Sequence, residues 1–187
     1  MDVVEGVVAN NVPGALVECG VTFGGSIMIM ILTLIELGVT DREIYLYDTF
    51  SGMSEPTEHD WHSRKNDATE KYNRKKISDT NCDWCYVPLD VVQKNLSSTN
   101  YPETRIHYVI GKVEDTVPTT LPDQIALLRL DTDWYESYKH ELTHMFPLIP
   151  PGGTLINDDY HFWKGCQKAV DEYFATHPTN NVTCINL

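Results

Sequence analysis

The sequence predicts an α/β fold with a mostly parallel sheet that is covered by helices on both faces. Short apolar runs alternate with longer segments of helical period along most of the 187 residues. Such βαβ alternation is typical of parallel sheets, because the crossover helices cover both faces. A chain of this length can also bury one sizeable core. We therefore expect a single domain over residues 1–187.

Glycine and proline mark the boundaries of the individual elements. The run 15–19 lies between Gly14 and Gly20, as expected of a buried strand, and the helix predicted over 26–37 ends before Gly38. A turn over 150–153 precedes another strand. The predicted strands are 15–19, 44–47, 106–110, 125–130, 154–157 and 182–187, and the predicted helices are 26–37, 89–96, 135–146 and 165–175.

One segment, at about 54–88, interrupts this alternation. It is crowded with charged residues, histidine, asparagine and tryptophan. Its apolar residues follow neither the helical nor the strand period, so we interpret it as a polar insertion or a mobile lid. Its Cys82 and Cys85 would supply only two of the four ligands of a structural zinc, and His59 or His62 would have to complete the site, so we favour ordinary loop packing and chance spacing of the two cysteines over a zinc site. The five cysteines are irregularly spaced, which favours free thiols over a disulfide framework.

Composition narrows the class of partner. The net charge of -13 and the 14 Lys+Arg argue against nucleic acid, because phosphate binding needs a basic face. The longest apolar run, 27–35, is shorter than the roughly 18 residues of a membrane-spanning helix. The first residues lack the basic region and cleavage site of a secretory signal. We therefore expect a cytoplasmic protein without nucleic-acid or membrane partners.

A glycine-containing loop follows the first strand. It runs from Glu18 through Gly20, Gly24 and Gly25 to Ser26. Glycines let the backbone come close to a ligand, and the N-terminus of the next helix offers unpaired N–H groups. The spacing differs from G-x-G-x-x-G, so a dehydrogenase-type pyrophosphate clamp is a poor match. The loop instead indicates another nucleotide-like cofactor.

Asp48 follows the second strand and has two interpretations. An acidic residue at this point commonly binds a ribose diol in α/β folds. Alternatively, Asp48 caps the turn at Ser51 and Gly52.

Acidic pairs follow two further strands. Asp131 and Asp133 come directly after the strand 125–130, and Asp158 and Asp159 follow the strand 154–157. The carboxyl ends of parallel strands meet at one edge, where open α/β sheets bind ligands. Three carboxylates there suit a hard cation such as Mg²⁺. Capping of the following helices is the alternative role.

Together these motifs resemble one family. The chain contains Val17-Glu18-Cys19-Gly20-Val21, then 47–53 (YDTFSGM), then 128–137 (LRLDTDWYES), and finally Gly152-Gly153 followed by 157–160 (NDDY). In order and spacing they are similar to the macrocin O-methyltransferase (TylF) family. The resemblance covers nearly the whole chain and implies a Rossmann-like class I fold. It further implies an S-adenosylmethionine- and Mg²⁺-dependent O-methyltransferase that acts on a hydroxyl group of a sugar or natural-product-like small molecule.

The resemblance also assigns residues. It implies that S-adenosylmethionine contacts Glu18, Gly20, Ser26, Asp48, Gly111, Lys112 and Val113, with Asp48 on the ribose and 111–113 against the adenine. The implied metal ligands are Asp131, Asp158 and Asp159. Asp131 would be both ligand and general base, and His161 is the second candidate base. We expect Asp133 to contact the cofactor or shape its loop. A homodimer is compatible with the resemblance, although we expect the N-terminal helices and the last antiparallel strand of the family to be missing.

Two other functions use part of the same pattern. A glycosyltransferase would use Asp131-Thr132-Asp133 as a DxD site for a nucleotide sugar, but this leaves Asp158, Asp159 and the glycine loop without roles. An aspartyl phosphatase would place such a motif on its first strand. A non-catalytic module that binds S-adenosylmethionine is a third class.

Overall fold

The computed structural model of the chain describes residues 2–62 and 68–187. Its strands are β1 Ala15–Cys19, β2 Ile44–Asp48, β3 Ile106–Ile110, β4 Ile125–Leu130, β5 Thr154–Asn157 and β6 Thr183–Asn186. They form one six-stranded sheet in the order β3-β2-β1-β4-β5-β6, and all neighbouring strands are parallel. The helices are α1 Asp2–Ala9, α2 Gly25–Glu36, α3 Ala68–Lys75, α4 Leu89–Ser97, α5 Val113–Thr116, α6 Tyr135–His144 and α7 Lys164–Phe174.

Each face of the sheet carries its own apolar core. Alternate residues of a strand point to opposite faces, so in β1 Leu16 packs with α2 and α4 while Val17 packs with α6 and α7. Burial of both faces explains why β1 and β4 are almost continuously apolar. The predicted α/β fold with covered faces is confirmed.

The strand order reverses between β1 and β4. From β1 the chain proceeds outward through β2 to β3 and then returns to pair β4 with the other side of β1. Such a switch point leaves a crevice at the carboxyl ends of the strands. Gly20 lies there with φ 79°, and a Cβ built on it would lie 2.0 Å from the carbonyl oxygen of Asp131. The first and fourth strand ends are therefore packed backbone against backbone at this point.

The structure differs from the sequence-based prediction mainly in the segment 54–88. The predicted irregular lid contains the helix α3 and a small third core, in which Tyr72 and Trp84 pack with Trp134 of the main domain. Residues 63–67 of the predicted lid lie outside the described residues. The short helices α1 and α5 were not predicted either. All five cysteines are free thiols, as predicted. Among the described residues, no helix is long and apolar enough to cross a membrane.

Candidate active site

A cavity of about 280 Å³ opens at the carboxyl ends of β1 to β4. This is the position at which open α/β sheets bind ligands, and the volume approaches that of small-molecule sites. Its lining comes from the sheet edge, from α5 and from the segment 54–88 with its neighbours. The predicted residues that line the cavity are Gly20, Asp48, Gly111, Lys112, Val113, Asp131 and Asp133.

Asp48 is held in place by backbone amides. Its Oδ2 accepts hydrogen bonds from the N–H of Val21 at 2.7 Å and of Thr22 at 3.4 Å, while Oδ1 accepts one from the N–H of Phe50 at 2.7 Å. The bond to Phe50 closes the turn that the sequence suggested, and the bonds to Val21 and Thr22 join this turn to the glycine loop. Asp48 thus caps its own turn and also faces the cavity.

Two predicted cofactor residues, Glu18 and Ser26, do not line the cavity. Glu18 is 1% exposed, and its Oε1 accepts a hydrogen bond of 2.7 Å from Nη1 of Arg129. Burial raises the pKa of Glu18 to about 8, against the lowering effects of Arg129 and of the Ser26 hydroxyl. Their contact with a cofactor stays a prediction.

The structure brings together a different set of aspartates from the predicted one. One carboxylate oxygen each from Asp131, Asp133 and Asp159 lies within 4.8 Å of the other two. Asp133 has φ 67°, and this left-handed backbone turns it back toward Asp159, whose Oδ2 accepts its N–H at 3.2 Å. Asp158 is instead held by Arg129, whose Nη2 lies 2.9 Å from its Oδ1. The clustered trio thus contains Asp133 rather than Asp158, and Asp158 as a metal ligand stays a prediction.

Burial shifts the protonation of this aspartate trio. It raises the pKa of Asp131 and of Asp133 to about 7 each, and the pKa of Asp159 to about 9. The charges of neighbouring aspartates contribute to each increase, whereas Arg129 lowers the pKa of Asp131. Clustered carboxylates that raise one another's pKa are typical surroundings of a bound cation.

Arg129 is the site residue that sequence reasoning missed. Its Nη1 donates to Oε1 of Glu18 at 2.7 Å and to Oδ2 of Asp131 at 2.8 Å, in addition to the contact of Nη2 with Asp158. The signal was present, because a charged residue in the otherwise apolar strand IALLRL must find partners when it is buried.

The structure places His161 away from the cavity. Its side chain is exposed, its ring packs edge-on against Tyr160 with centroids 5.0 Å apart, and it does not line the cavity. A role of His161 as a base therefore finds no support in this arrangement and stays a prediction.

The segment 54–88 covers the site through aromatic contacts. The rings of Trp84, Trp134 and Trp163 contact one another with centroids 5.0 to 6.0 Å apart. Lys71 of α3 lies over the Trp84 ring, 3.7 Å from its centroid, and both side chains line the cavity. No third potential ligand joins Cys82 and Cys85 within the described part of the chain.

Comparison with known proteins identifies similar chains. The profile of the family described as macrocin-O-methyltransferase (TylF) matches residues 1–185. Demethyldecarbamoylnovobiocin O-methyltransferase of Streptomyces niveus is 34% identical over 172 residues, which cover 92% of this chain and 62% of that protein. Mycinamicin III 3''-O-methyltransferase of Micromonospora griseorubida is 32% identical over 174 residues, covering 93% of this chain and 65% of that protein. The chain thus spans slightly less than two thirds of the length of these curated relatives.

Solved structures show the same fold. The O-methyltransferase NovP is 34% identical and superimposes with a TM-score of 0.77, covering 93% of this chain and 68% of that chain. The calicheamicin methyltransferase CalS11 is 20% identical with a TM-score of 0.64, covering 94% of this chain and 71% of that chain, and supports the fold alone.

Proposed function

The chain belongs to the macrocin O-methyltransferase (TylF) family, and from this premise we propose that it transfers a methyl group from S-adenosylmethionine to a hydroxyl group of a sugar or natural-product-like small molecule. The observation that carries the proposal is the meeting of the glycine loop, Asp48 and the aspartate trio in or beside one cavity at the switch point of the sheet. The relatives are named as O-methyltransferases of natural products.

The cavity offers fitting partners for S-adenosylmethionine. Gly20 lines the cavity without a side chain, so a ligand can approach its backbone closely. Asp48 faces the cavity with a carboxylate that three backbone N–H groups orient, and such a fixed acceptor suits a ribose diol. The adenine would lie against Gly111, Lys112 and Val113, which form the wall after β3.

The aspartates fit a divalent cation through their donor set. Asp131, Asp133 and Asp159 offer hard oxygen ligands within reach of one another, and Asp158 lies next to Asp159. We propose that Mg²⁺ binds Asp131 and Asp159, with Asp158 or Asp133 as the third ligand. When bound, S-adenosylmethionine supplies an electrophilic methyl group, and Mg²⁺ supplies a Lewis acid that lowers the pKa of an acceptor hydroxyl.

The protein's own residues would position the acceptor and take its proton. Asp131 lies at the end of β4 and lines the cavity, so its carboxylate is placed to take a proton from an acceptor bound there. Trp84 and Trp163 contribute apolar surface to the same cavity, which would exclude water around the acceptor.

The proposal is tested by incubating the protein with S-adenosylmethionine, Mg²⁺ and a panel of glycosides, with mass spectrometry of the products. We expect a product heavier by one CH₂ unit, because the methyl group replaces the hydroxyl proton. We expect Asp131→Asn to lower the rate about 100-fold or more, because the base and a metal ligand are both lost. Asp123→Asn is the matched control, since Asp123 is exposed and lies at the opposite end of β4.

Each competing function predicts a different result. Hydrolysis or transfer from a nucleotide sugar, without methylated product, would indicate a DxD glycosyltransferase. Tight binding of S-adenosylhomocysteine without turnover of any acceptor would indicate a non-catalytic module. Equal rates for Asp131→Asn and wild type would contradict the role of Asp131.

A further inference from the structure

Arg129 connects three strand ends through one guanidinium group. Its contacts of 2.7 to 2.9 Å reach Glu18 in β1, Asp131 after β4 and Asp158 after β5. The side chain of Arg129 is only 12% exposed. A planar guanidinium can bind several carboxylates in fixed directions, which a single ammonium cannot do. Its position is therefore set by the carboxylates rather than by solvent.

Charge balance at this edge depends on Arg129. Five carboxyl groups gather there, and Arg129 is the cation that forms ion pairs with them in the described structure. Buried charges are tolerated only when they are paired. Two partners of Arg129, Asp131 and Asp158, are also predicted metal ligands. The guanidinium thus supplies part of the positive charge that a divalent cation would supply to the same two carboxylates.

We propose that Arg129 is an internal counter-ion that competes electrostatically with the divalent cation for Asp131 and Asp158, and so lowers the cation affinity of the site. The inference rests on the metal site of the proposed function. Removing the charge of Arg129 leaves the carboxylates less compensated, so the cation binds more tightly. Arg129 is a positioning residue in this scheme, because it acts through the two aspartates.

The first test compares Arg129→Met with wild type, without cofactor or acceptor, by calorimetric titration with MgCl₂ and by thermal melting. We expect the metal-free variant to melt at a lower temperature, because buried carboxylates lose their counter-ion. We expect its Kd for Mg²⁺ to fall about tenfold or more, and the Mg²⁺-induced rise in Tm to exceed that of wild type.

Two further variants separate charge from geometry and from general effects. Arg129→Lys keeps the positive charge and loses the planar guanidinium with its several N–H donors. We therefore expect its Kd for Mg²⁺ to stay within about threefold of wild type. Arg105→Met removes a guanidinium that pairs with Glu43 at the far end of the sheet, and its Mg²⁺ response should equal that of wild type. Arg129→Gln retains a hydrogen-bond donor and gives the same comparison if Arg129→Met does not fold.

The possible outcomes are distinct. An unchanged or weaker Mg²⁺ affinity in Arg129→Met or Arg129→Gln overturns the inference and leaves the proposed function intact. A similar gain in Arg105→Met also overturns it, because the effect is then not local. A wild-type protein that does not respond to Mg²⁺ overturns the metal site and this inference together, while methyl transfer is still judged by the product assay.

Discussion

Asp48 illustrates how one side chain serves structure and ligand binding together. Its two oxygens accept three backbone N–H bonds, which fix the glycine loop relative to the turn after β2. A carboxylate has about four acceptor sites, so one remains for a ligand in the cavity that Asp48 lines. Its substitution should therefore affect both cofactor affinity and stability, and the two effects can be measured separately.

We expect Asp48→Asn to weaken binding of S-adenosylhomocysteine by about 1.5 to 3 kcal/mol, the typical contribution of hydrogen bonds to a charged acceptor. Titration calorimetry measures the affinity, and thermal melting without ligand measures the loss of stability. Asp41→Asn is the matched control, because Asp41 is exposed and precedes β2, whereas Asp48 ends it. Affinity equal to that of wild type would remove the ribose assignment.

The segment 54–88 is attached to the main domain by a buried carboxylate. Asp60 is 3% exposed, accepts hydrogen bonds from the N–H and hydroxyl of Thr57, and accepts another from the N–H of Tyr135, the first residue of α6. A Cβ built on Gly165 of α7 would lie 2.0 Å from Oδ1 of Asp60. Asp60 therefore attaches the segment to α6 and α7, beside the candidate site.

We expect Asp60→Ala to loosen this attachment, with a loss of about 1 to 3 kcal/mol in the free energy of unfolding, because the N–H of Tyr135 loses its partner. Limited proteolysis within 54–88 should accelerate more than the global stability loss explains. Gly165→Ala should reproduce the effect from the opposite side, and Gly25→Ala, where nothing lies within 4 Å of the added Cβ, should not. An unchanged rate of cleavage in Asp60→Ala would argue against this attachment.

The strands were predictable because each is a short apolar run bounded by turn residues, and β1, β3, β4 and β5 match their predicted limits. The helix α3 could not be predicted, because only its Ala68 and Tyr72 are buried. These two residues pack against tryptophans that come from distant positions in the sequence. The aspartates were located at the correct strand ends. Which of them meet depends on Arg129 and on the left-handed backbone of Asp133, and neither effect can be obtained from spacing.

The protein as a whole gathers acidic groups at one edge of its sheet, and this makes its stability depend on pH. The carboxyls of Asp131, Asp133 and Asp159 have an ordinary pKa of 3.8, and burial raises it to about 7, 7 and 9. Between about pH 4 and 9 the folded state thus binds more protons at these groups than the unfolded state does. Their contribution to stability therefore decreases as pH rises through this window.

We expect the Tm of the metal-free protein to fall by several degrees between pH 5 and pH 9, and Mg²⁺ to reduce this fall because it favours the ionised carboxylates. Melting curves with Mg²⁺ and with chelator measure both effects. Asp159→Asn should flatten the metal-free profile, and Asp123→Asn should leave it unchanged. A metal-free Tm that rises with pH over this range would contradict the assigned protonation states.

The ion pair between Glu18 and Arg129 also bears on how the chain folds. These residues are 111 positions apart, and β1 pairs with β2 on one side and with β4 on the other. A nascent chain that ends before β4 has an open edge on β1 and a carboxyl group at Glu18 that must either stay hydrated or take up a proton. Closing so long a loop is slow, and contacts of high sequence separation lower folding rates. The first half of the sheet is thus expected to remain loosely ordered until residue 129 has left the ribosome, so that the fold and its charge balance are completed in the same step.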